Sequence, residues 1–565
     1  MVKRLITSLF LVNLILADSW SQEDLHEELL RNEISTFGQA RVLIPVASKP
    51  QIADICLNLS VSSVRGKSVE IVLSPLTIDW FLQQKFAYEL ISKPDSKGIS
   101  TASDLNQVLA WDVYPSYSQY FTLMKSFETN YPSLCNLDTI GTSINGKYVL
   151  VLKISDNPGI DEDEPETFYS SSIHGDETGG FILMLHLADY LLQNYNSSSR
   201  VKNLVDNLEI WINPLANPDG TYRTGDVISS PTRYNANGYD LNRNFPDPSA
   251  PNTVKQKETL DMVKFMRQRQ FILSANFHSG EEVVNYPWDR WSRLHPDNDW
   301  FNKISRKYAD TVHMKSPSTY MDFLDNGVTN GYDWYSITGG RQDFMTYDLH
   351  GREVTIELDN SYITPAANLI TLWNYNWRSL LGYLENALYG IHGKVKDKLT
   401  SEPVPAKIFI VGHDADSSQI YSDTLTGSFT RMLYPGTWDL VFSADGYQDK
   451  IVENVVVTDG QKTEINVEMV PISNPVDTVT TPVILLYPNP ADKLIRVVLP
   501  QRQLGLINIC VYDNSGRKLL DYDEQSYEDI PLIINTNNLS QGSYNLVVTN
   551  LQSGIRDKSA FIVVH

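Results

Sequence analysis

The pattern of apolar and polar positions predicts a large α/β domain in the middle of the chain. From about residue 108 to 389, continuous apolar runs such as "KYVLVLKIS" (147–155) and "LEIWINP" (208–214) alternate with amphipathic segments such as "GGFILMLHLADYLLQNY" (179–195). Continuous apolar runs are typical of strands that are buried on both faces of a sheet. A spacing of 3.6 residues between apolar positions indicates helices. We therefore expect a mixed sheet flanked by helices over residues 108–389.

The flanking regions have different patterns. Residues 22–107 contain two short strand patterns (41–47 and 68–74) and two short helical ones (51–59 and 77–84), which predict a small α/β unit. After residue 389, short strand patterns with regular turns fill 390–471 and again 483–565, which predicts two small all-β sandwiches. The intervening segment 472–482 is rich in Pro, Thr and Val and is predicted to be a linker.

The amino-terminal residues are typical of a signal peptide. A basic start at Lys3 and Arg4 is followed by an apolar stretch over 5–17 and by small residues around position 20. We predict that residues 1–21 are a cleaved signal peptide, because the apolar stretch is too short to span a bilayer comfortably. No later run reaches transmembrane length, so the mature chain is expected to have no transmembrane segment.

Composition narrows the function classes. The 565-residue chain has a formal net charge of −22, which argues against nucleic acid as a partner. Its three cysteines, at positions 56, 135 and 510, are too few and too far apart for a disulfide scaffold. One disulfide at most is possible, and we expect buried free thiols.

Three residues in two of the buried segments have the chemistry of a metal site. His174 and Glu177 lie three apart where "TFYSSSIHGDE" is predicted to change from strand to loop to helix, and His278 follows the strand pattern "FILSANF". Such strand ends meet at the carboxyl edge of an α/β sheet. Two histidines and one glutamate form a known catalytic zinc set that leaves one coordination position open.

A fourth residue, Glu357, lies inside the apolar run "VTIEL". A carboxylate there is costly to bury unless it has a partner or a chemical task. Beside a zinc site, it would take a proton from water and deliver it to a leaving amine. An edge-strand or salt-bridged glutamate is the alternative interpretation of Glu357 taken alone.

Further motifs make the chain resemble the zinc metallocarboxypeptidases, in the regulatory branch typified by carboxypeptidases N, E and D. The stretches "NPDG" (217–220), "DLNRNFPD" (240–247), "NYPWD" (285–289), "WYSITGGRQD" (334–343) and "EVTIEL" (353–358) occur in the order of that family. The resemblance covers about 108–389 and implies a mixed eight-stranded sheet. The sandwich at 390–471 resembles the transthyretin-like domain of the same branch.

The resemblance also implies a role for each matching residue. Zinc binding, one ion per catalytic domain, falls to His174, Glu177 and His278, and Glu357 becomes the general base. Arg233 would stabilise the oxyanion, and Asp240 would orient the imidazole of His174. The substrate's terminal carboxylate would be held by Asn242 and Arg243, with Tyr335 closing over it.

Specificity rests on two more positions. In this branch, the pocket for the C-terminal side chain is lined by residues that match Asp289 and Gln342. A carboxylate in that pocket predicts preference for C-terminal Lys or Arg. The sequence departs from the family pattern at Asp176, where an amide is usual, and at Arg341, where an apolar residue is usual. Arg341 would weaken the preference for cations if it faced the pocket, and would have no such effect if it pointed away.

The terminal regions carry separate predictions. Residues 483–565 resemble the sorting domain read by type IX secretion systems, which implies a Gram-negative bacterium and a protein that is secreted or attached to the outer surface. A carbohydrate- or surface-binding sandwich is the alternative.

Residues 22–107 are interpreted as a pro-segment that covers the active site until it is removed, or else as a structural module. The acidic run "DEDEPE" (161–166) could suggest calcium binding, but we expect a solvated loop.

The sequence thus predicts a secreted zinc carboxypeptidase that removes the C-terminal residue of peptides and proteins. Two alternatives remain at this point. One is a zinc hydrolase of related fold that acts on cell-wall peptides or another amide. The other is a non-catalytic surface binding protein, which would be expected to lack a metal ligand or the base.

Overall fold

The computed structural model describes residues 22–91, 99–249, 254–472, 484–527 and 531–565. The predicted signal peptide and the predicted linker beyond Ile472 lie outside these residues. The chain divides into two compact units, Met1–Lys93 and Pro94–His565. The first unit ends before the predicted boundary at residue 107 because Ala102 and Val108 are buried in the core of the second unit.

The first unit is a small α/β fold, as its apolar pattern predicts. Its helices are α1 (Gln22–Phe37), α2 (Lys49–Cys56) and α3 (Ile78–Gln83), and its strands are β1 (Ala40–Pro45), β2 (Ser60–Arg65), β3 (Ser68–Leu73) and β4 (Glu89–Ile91). The strands form an antiparallel sheet in the order β2-β3-β1-β4. Helix α2 begins at a Ser48 cap, whose side chain accepts from the backbone N–H of Gln51.

The second unit begins with a central domain built on an eight-stranded mixed sheet, which confirms the predicted fold. Its strands are β5 (Cys135–Thr142), β6 (Tyr148–Ile154), β7 (Glu166–Ser171), β8 (Glu209–Asn213), β9 (Phe271–His278), β10 (Glu282–Tyr286), β11 (Val328–Asn330) and β12 (Arg352–Leu358). The strand order is β11-β10-β12-β9-β7-β8-β6-β5. Pairs β12/β9, β9/β7 and β7/β8 are parallel.

Helices cover the sheet. They are α4 (Leu105–Val108), α5 (Tyr117–Asn130), α6 (Gly179–Asn194), α7 (Ser199–Val205), α8 (Pro218–Thr221), α9 (Lys257–Arg267), α10 (Asn298–His313), α11 (Phe323–Gly327), α12 (Gly331–Trp334), α13 (Arg341–Asp343) and α14 (Leu369–Leu384). Helix α6 starts with glycines because a Cβ on Gly180 would collide with the Ser171 hydroxyl of β7. Close packing there lets Leu183, Leu187 and Leu191 enter the main core.

The parallel strands bring the predicted ligands to one edge of the sheet. Strands β7, β9 and β12 all end at this edge, where Ser171 is paired with Phe277 and Glu357 with His278. Because parallel neighbours have their carboxyl ends on the same side, the loop after β7 meets the end of β9 there.

Two β-sandwiches follow, as predicted. The first contains β13 (Gly390–Asp397), β14 (Lys407–Ile410), β15 (Ile420–Tyr421), β16 (Ser428–Arg431), β17 (Gly436–Ser443), β18 (Lys450–Val457), β19 (Lys462–Glu464) and β20 (Val467–Met469). The second contains β21 (Leu485–Tyr487), β22 (Leu494–Val498), β23 (Gly505–Asp513), β24 (Lys518–Ser526), β25 (Leu532–Asn535), β26 (Gly542–Asn550) and β27 (Arg556–Val563). Each sandwich encloses its own apolar core.

The first sandwich is joined to the central domain through a buried carboxylate, Asp297. This carboxylate accepts from Arg352 at the start of β12 (2.9 and 2.6 Å) and from Arg431 of β16 (2.8 and 3.0 Å). His413 contacts Asp297 as well, at 2.7 Å, and Arg431 also donates to Asp414. Charges from both domains therefore meet in one buried network.

Two further sequence predictions can be compared with the structure. Cys56, Cys135 and Cys510 are buried, and no disulfide joins any two of them, as expected. None of the helices in the described part of the chain is long and apolar enough to cross a membrane.

Candidate metal and substrate site

The loop after β7 has a backbone geometry that turns two side chains toward the sheet edge. Ser172 adopts a left-handed conformation (φ 54°), so the chain leaves the extended conformation of the strand immediately after β7. Its hydroxyl donates to the backbone carbonyl of Glu177 at 2.9 Å, and this hydrogen bond joins the two ends of the loop. His174 and Glu177 are thereby fixed before helix α6 begins.

His174, Glu177 and His278 converge on one point. Their candidate ligand atoms all lie within 4.8 Å of one another. Glu177 Oε1 is 2.8 Å from His174 Nδ1, Glu177 Oε2 is 2.8 Å from His278 Nδ1, and the two Nδ1 atoms are 3.1 Å apart. The three residues are only 2–3% exposed. Two imidazole nitrogens and a carboxylate directed at each other form a donor set that fits a cation between them.

Each histidine is also held from behind. His174 Nε2 lies 3.1 Å from Asp240 Oδ1, and His278 Nε2 lies 2.8 Å from Asn276 Nδ2. Such outer contacts orient the rings so that the Nδ1 atoms point inward. Burial favours a raised pKa for Glu177, but the two histidines hold it well below its usual range, so Glu177 carries the negative charge that a metal needs. The residues present therefore fit a zinc ion.

Glu357 lies beside this set. It is paired with His278 in the parallel register of β12 and β9, and its Oε2 is buried without a hydrogen-bond partner among the described residues. Burial, reinforced by the nearby charges of Glu177 and Glu281, raises the pKa of Glu357 well above its usual range. A carboxylate in this state readily holds a proton, which is the property required of a group that accepts and returns one.

We call His174, Glu177 and His278 the metal-binding set, because their donor atoms could hold an ion. Arg233 is a buried cation that hydrogen-bonds directly to this set. Its Nε donates to Asp240 Oδ2 at 2.9 Å, and its Nη1 donates to Glu177 Oε1 at 3.2 Å. The side chain is therefore fixed by two carboxylates, with its guanidinium beside the candidate metal ligands. This position suits a donor to negative charge that develops next to the ion.

The segment from Asp240 to Arg243 forms a polar wall beside the metal-binding set. Asp240 Oδ1 accepts from the backbone N–H of Asn242 at 2.9 Å, and Asn242 Oδ1 accepts from the backbone N–H of Arg341 at 2.9 Å. Arg243 is half-buried, and its Nη1 donates to the carbonyl of Asn242. Tyr335 is also half-buried and follows α12 directly. Arg243 thus presents a partly exposed guanidinium, and Tyr335 has a partly exposed side chain.

Asp289 and Gln342 are in direct contact. Gln342 Nε2 and Asn285 Nδ2 each donate to Asp289 Oδ1 at 3.0 Å. Glycines make room beside this carboxylate, because a Cβ on Gly331 would collide with Asp289 Oδ1. Burial raises the pKa of Asp289 to about 6. The result is a buried carboxylate with a fixed orientation, against which Gly331 packs closely.

Arg341 does not pair with Asp289. Its guanidinium is almost fully buried and donates through Nη2 to Glu353 Oε2 and to Ser274 Oγ, both at 3.0 Å. It also lies 4.6 Å from the centre of the Phe168 ring. Of the two orientations considered from the sequence, the structure has the one that points away from the pocket. Asp176, the other departure, is buried.

Three residues of this site were not recognised from the sequence: Asn276, Glu281 and Asn285. Asn276 could have been found, because it lies two positions before His278 on the same face of β9. Glu281 acts on Glu357, which is distant in sequence, so its contribution depends on how the segment at the start of β10 packs against β12. Asn285 lies four residues before Asp289 and could have been found within the same "NYPWD" motif.

Comparison with known proteins agrees with this geometry. Residues 120–379 match the family model described as zinc carboxypeptidase, 390–470 match a carboxypeptidase regulatory-like domain, and 485–563 match a secretion system C-terminal sorting domain. Carboxypeptidase D of Homo sapiens is 34% identical over 364 residues, which are 61% of this chain and 26% of that protein. The chain thus spans about a quarter of the length of its carboxypeptidase D relatives.

Shorter relatives are covered more completely. Carboxypeptidase M of Mus musculus is 33% identical over 350 residues, which are 58% of this chain and 78% of that protein. The carboxypeptidase N catalytic chain of Rattus norvegicus is 33% identical over 365 residues, 57% of this chain and 78% of that protein. With these matches and the site geometry in agreement, the chain belongs to the zinc carboxypeptidase family.

Proposed function

We propose that this protein is a secreted zinc carboxypeptidase that hydrolyses the last peptide bond of peptides and proteins, with a preference for C-terminal Lys or Arg. The observation that carries the proposal is the convergence of His174, Glu177 and His278 beside Glu357. A metal site next to a carboxylate of raised pKa is suited to hydrolysis. Family membership supports the same conclusion.

The metal would make two contributions. Zinc held by His174, Glu177 and His278 would supply Lewis-acid polarisation of the scissile carbonyl and would activate water. Glu357 accepts the proton of the attacking water and returns it to the leaving amine. Arg233 donates to the oxygen that gains negative charge, and a fixed donor of this kind typically contributes about 3–4 kcal/mol to lowering the barrier.

The polar wall explains why the enzyme would act only at chain ends. A free α-carboxylate pairs well with a guanidinium that is already positioned, and Arg243 is the half-buried arginine next to the buried amide of Asn242. Tyr335, half-buried on the segment after α12, would cover the bound end. An internal peptide bond has no carboxylate to place here.

Asp289 supports the preference for basic residues. A C-terminal Lys or Arg side chain would pair with its carboxylate, whereas an apolar side chain would leave that buried charge unpaired. Gln342 fixes the carboxylate through one oxygen, and Asn285 does the same. Because Arg341 is held by Glu353, it does not compete for Asp289.

The test is hydrolysis of blocked dipeptides that end in Arg, Lys, Phe, Leu or Glu, with the chain as isolated, after chelation and after zinc is restored. The proposal predicts release of Arg and Lys that chelation abolishes and zinc restores. Release of Phe or Leu with the same metal dependence would retain the hydrolase and reject the proposed specificity. No release by zinc-loaded protein would favour a cell-wall amidase or a binding protein.

The terminal regions are part of the proposal. The match to a secretion system sorting domain at 485–563 supports export through a type IX system of a Gram-negative bacterium. The first unit is proposed to be a pro-segment, with a purely structural module as the alternative. Limited proteolysis within 94–98 should raise activity if the first unit inhibits the enzyme, and should leave activity unchanged if it is structural.

A further inference from the structure

A second group of acidic side chains lies at the edge of the central sheet opposite to the metal-binding set. It includes two triads whose carboxylate oxygens lie within 4.8 Å of one another. The inner triad is Asp161, Glu166 and Glu209, and the outer triad is Asp156, Glu162 and Glu164. Strands β7 and β8 begin at Glu166 and Glu209, whereas His174 follows the other end of β7. The two sites are therefore separate.

The acidic run is not the solvated loop that its sequence predicts. Asp163 is exposed, but Asp161, Glu162 and Glu164 are only partly exposed and Glu166 is 6% exposed. Glu209, contributed by a different strand, is 0% exposed. The loop folds back onto the sheet, and Glu209 Oε1 accepts from the backbone N–H of Glu162 at 2.9 Å.

The buried pair at the start of β7 and β8 is electrostatically unfavourable as it stands. Glu166 and Glu209 are direct partners in the parallel register. Like charges directly opposite each other destabilise a sheet. Burial raises the pKa of both carboxyls, because the ionised forms lose contact with water. The two carboxyls are therefore stable at this position only if a cation or a proton neutralises their charge.

The nearby basic groups do so only in part. Lys153 Nζ lies 2.7 Å from Glu209 Oε1 and also donates to the carbonyl of Ile160. Arg269 Nη1 is 4.0 Å from Glu166 Oε1, beyond hydrogen-bond distance. Among the described residues, Glu209 Oε2 and Glu166 Oε1 are buried without a hydrogen-bond partner. Unsatisfied carboxylate oxygens of this kind are costly unless a cation or a proton occupies the space between them.

We propose that the inner triad, Asp161, Glu166 and Glu209, binds a calcium ion. All of the donors are carboxylate oxygens, which are the ligands that Ca²⁺ prefers. Zinc sites usually contain nitrogen or sulfur ligands, and this triad has none. Ca²⁺ tolerates the irregular arrangement of carboxylates from a loop and two strand ends, whereas Mg²⁺ demands a near-ideal octahedron. The carboxylates of the outer triad lie on the same 156–166 segment and make the electrostatic potential at the site more negative.

The ion would stabilise the region that carries the metal-binding loop. It would fasten the 156–166 segment to the starts of β7 and β8, and β7 leads directly to Ser172 and His174. Its contribution is therefore to thermal stability, with little change in turnover at low temperature. Because binding and unfolding are measured without substrate, this inference can fail or succeed independently of the proposed peptidase activity.

Terbium luminescence tests the site with the zinc-loaded full chain. Tb³⁺ takes Ca²⁺ sites, and Trp211 lies two residues after Glu209 on β8, with its ring 4.4 Å from the Arg269 guanidinium. We expect Trp-sensitised emission that Ca²⁺ displaces. Glu209→Gln, of the same shape, should weaken Tb³⁺ and Ca²⁺ binding by at least ~10-fold. Asp163→Asn is the matched control, because this exposed residue of the same loop pairs with Lys394 instead.

Thermal unfolding provides a second readout. With calcium in large excess over its Kd, the melting temperature of the wild-type protein should rise by about 5 °C over the calcium-free protein. At the same calcium concentration, the rise should persist in Asp163→Asn and be clearly smaller in Glu209→Gln. If Glu209→Gln does not fold, Asp161→Asn decides, since Asp161 is only partly buried. Absence of Ca²⁺-displaceable emission, or an equal rise in the triad variants, would overturn the proposal and indicate that a shared proton neutralises the carboxyls.

Discussion

Glu357 on β12 lies directly beside His278 on β9 in the parallel register of the central sheet. One strand therefore brings a residue whose carboxyl has a raised pKa beside a proposed metal ligand on the next strand. The arrangement depends on backbone pairing, which is rigid, and not on the conformation of a loop. This rigidity gives the proposed base a fixed position relative to the metal-binding set.

Replacing Glu357 by Gln should abolish proton transfer without removing the metal site. We expect kcat on a peptide ending in Arg to fall by about 10²–10⁴-fold, because general acid–base catalysis contributes an effect of that size. Zinc content, measured by atomic emission, should stay at one ion per chain. Full activity in the variant would show that Glu357 is not the base, and loss of zinc would show that it is a ligand.

Asp289→Asn should change specificity more than catalysis. The ratio of kcat/KM for peptides ending in Arg to those ending in Leu should fall by roughly 10²-fold, since truncating one partner of a buried charge pair costs about 2–5 kcal/mol. Asp333→Asn, on the exposed face of the adjoining α12, is the control and should leave the ratio unchanged. An unaltered ratio in Asp289→Asn would place the specificity pocket elsewhere.

The same carboxylate predicts a pH dependence. Burial raises the pKa of Asp289 to about 6, and only its ionised form attracts a cationic side chain. The Arg-to-Leu ratio of kcat/KM should therefore be high above pH 6 and fall as the pH drops through that value. Using the ratio cancels the titration of Glu357, which affects both substrates. A ratio that is constant from pH 5 to pH 8 would contradict the role of Asp289.

Arg341 should affect stability and not specificity. Arg341→Met leaves Glu353 buried without its partner, so the free energy of unfolding should fall by about 3–5 kcal/mol. The double variant Arg341→Met/Glu353→Met should recover most of that loss, because no buried charge remains. The Arg-to-Leu ratio should be unchanged in both proteins. A large rise in the ratio would mean that Arg341 acts on the pocket after all.

The interface between the central domain and the first sandwich should depend on Arg431. This side chain is fully buried and donates to both oxygens of Asp297, so Arg431→Met should lower the free energy of unfolding by about 3–5 kcal/mol. Arg293→Met breaks an exposed pair with Asp416 across the same two domains and should cost at most about 1 kcal/mol. Urea unfolding curves provide both free energies of unfolding. An equal decrease in the two variants would contradict the role of Asp297 as a buried carboxylate that joins the two domains.

Much of the fold could be predicted from the sequence. The apolar runs at 147–155 and 208–214 form β6 and β8, and the amphipathic segment at 179–195 forms α6. The convergence of His174, Glu177 and His278 could be predicted because strand ends of a parallel sheet share an edge. These predictions depend on local periodicity and on one topological rule, both of which the sequence carries.

Other features depend on contacts between distant segments. The direction of Arg341 is set by Glu353 on β12 and by Ser274 on β9, and neither lies near it in sequence. The acidic run at 161–166 is partly buried, because its loop folds back onto the sheet and Glu209 on another strand accepts a hydrogen bond from the backbone of Glu162. The extent of the first unit was overestimated for a similar reason, since Ala102 and Val108 are covered by a core whose other members come later in the chain.

The most direct test compares two peptides that differ only at the C-terminus. Both have the same sequence ending in Lys-Arg, one with a free carboxylate and the other with an amide, and mass spectrometry follows them with the zinc-loaded protein. We predict loss of a single Arg from the acid, no cleavage of the amide, and no reaction after chelation. Cleavage of both peptides, or internal cleavage of either, would contradict a carboxypeptidase that recognises the terminal carboxylate.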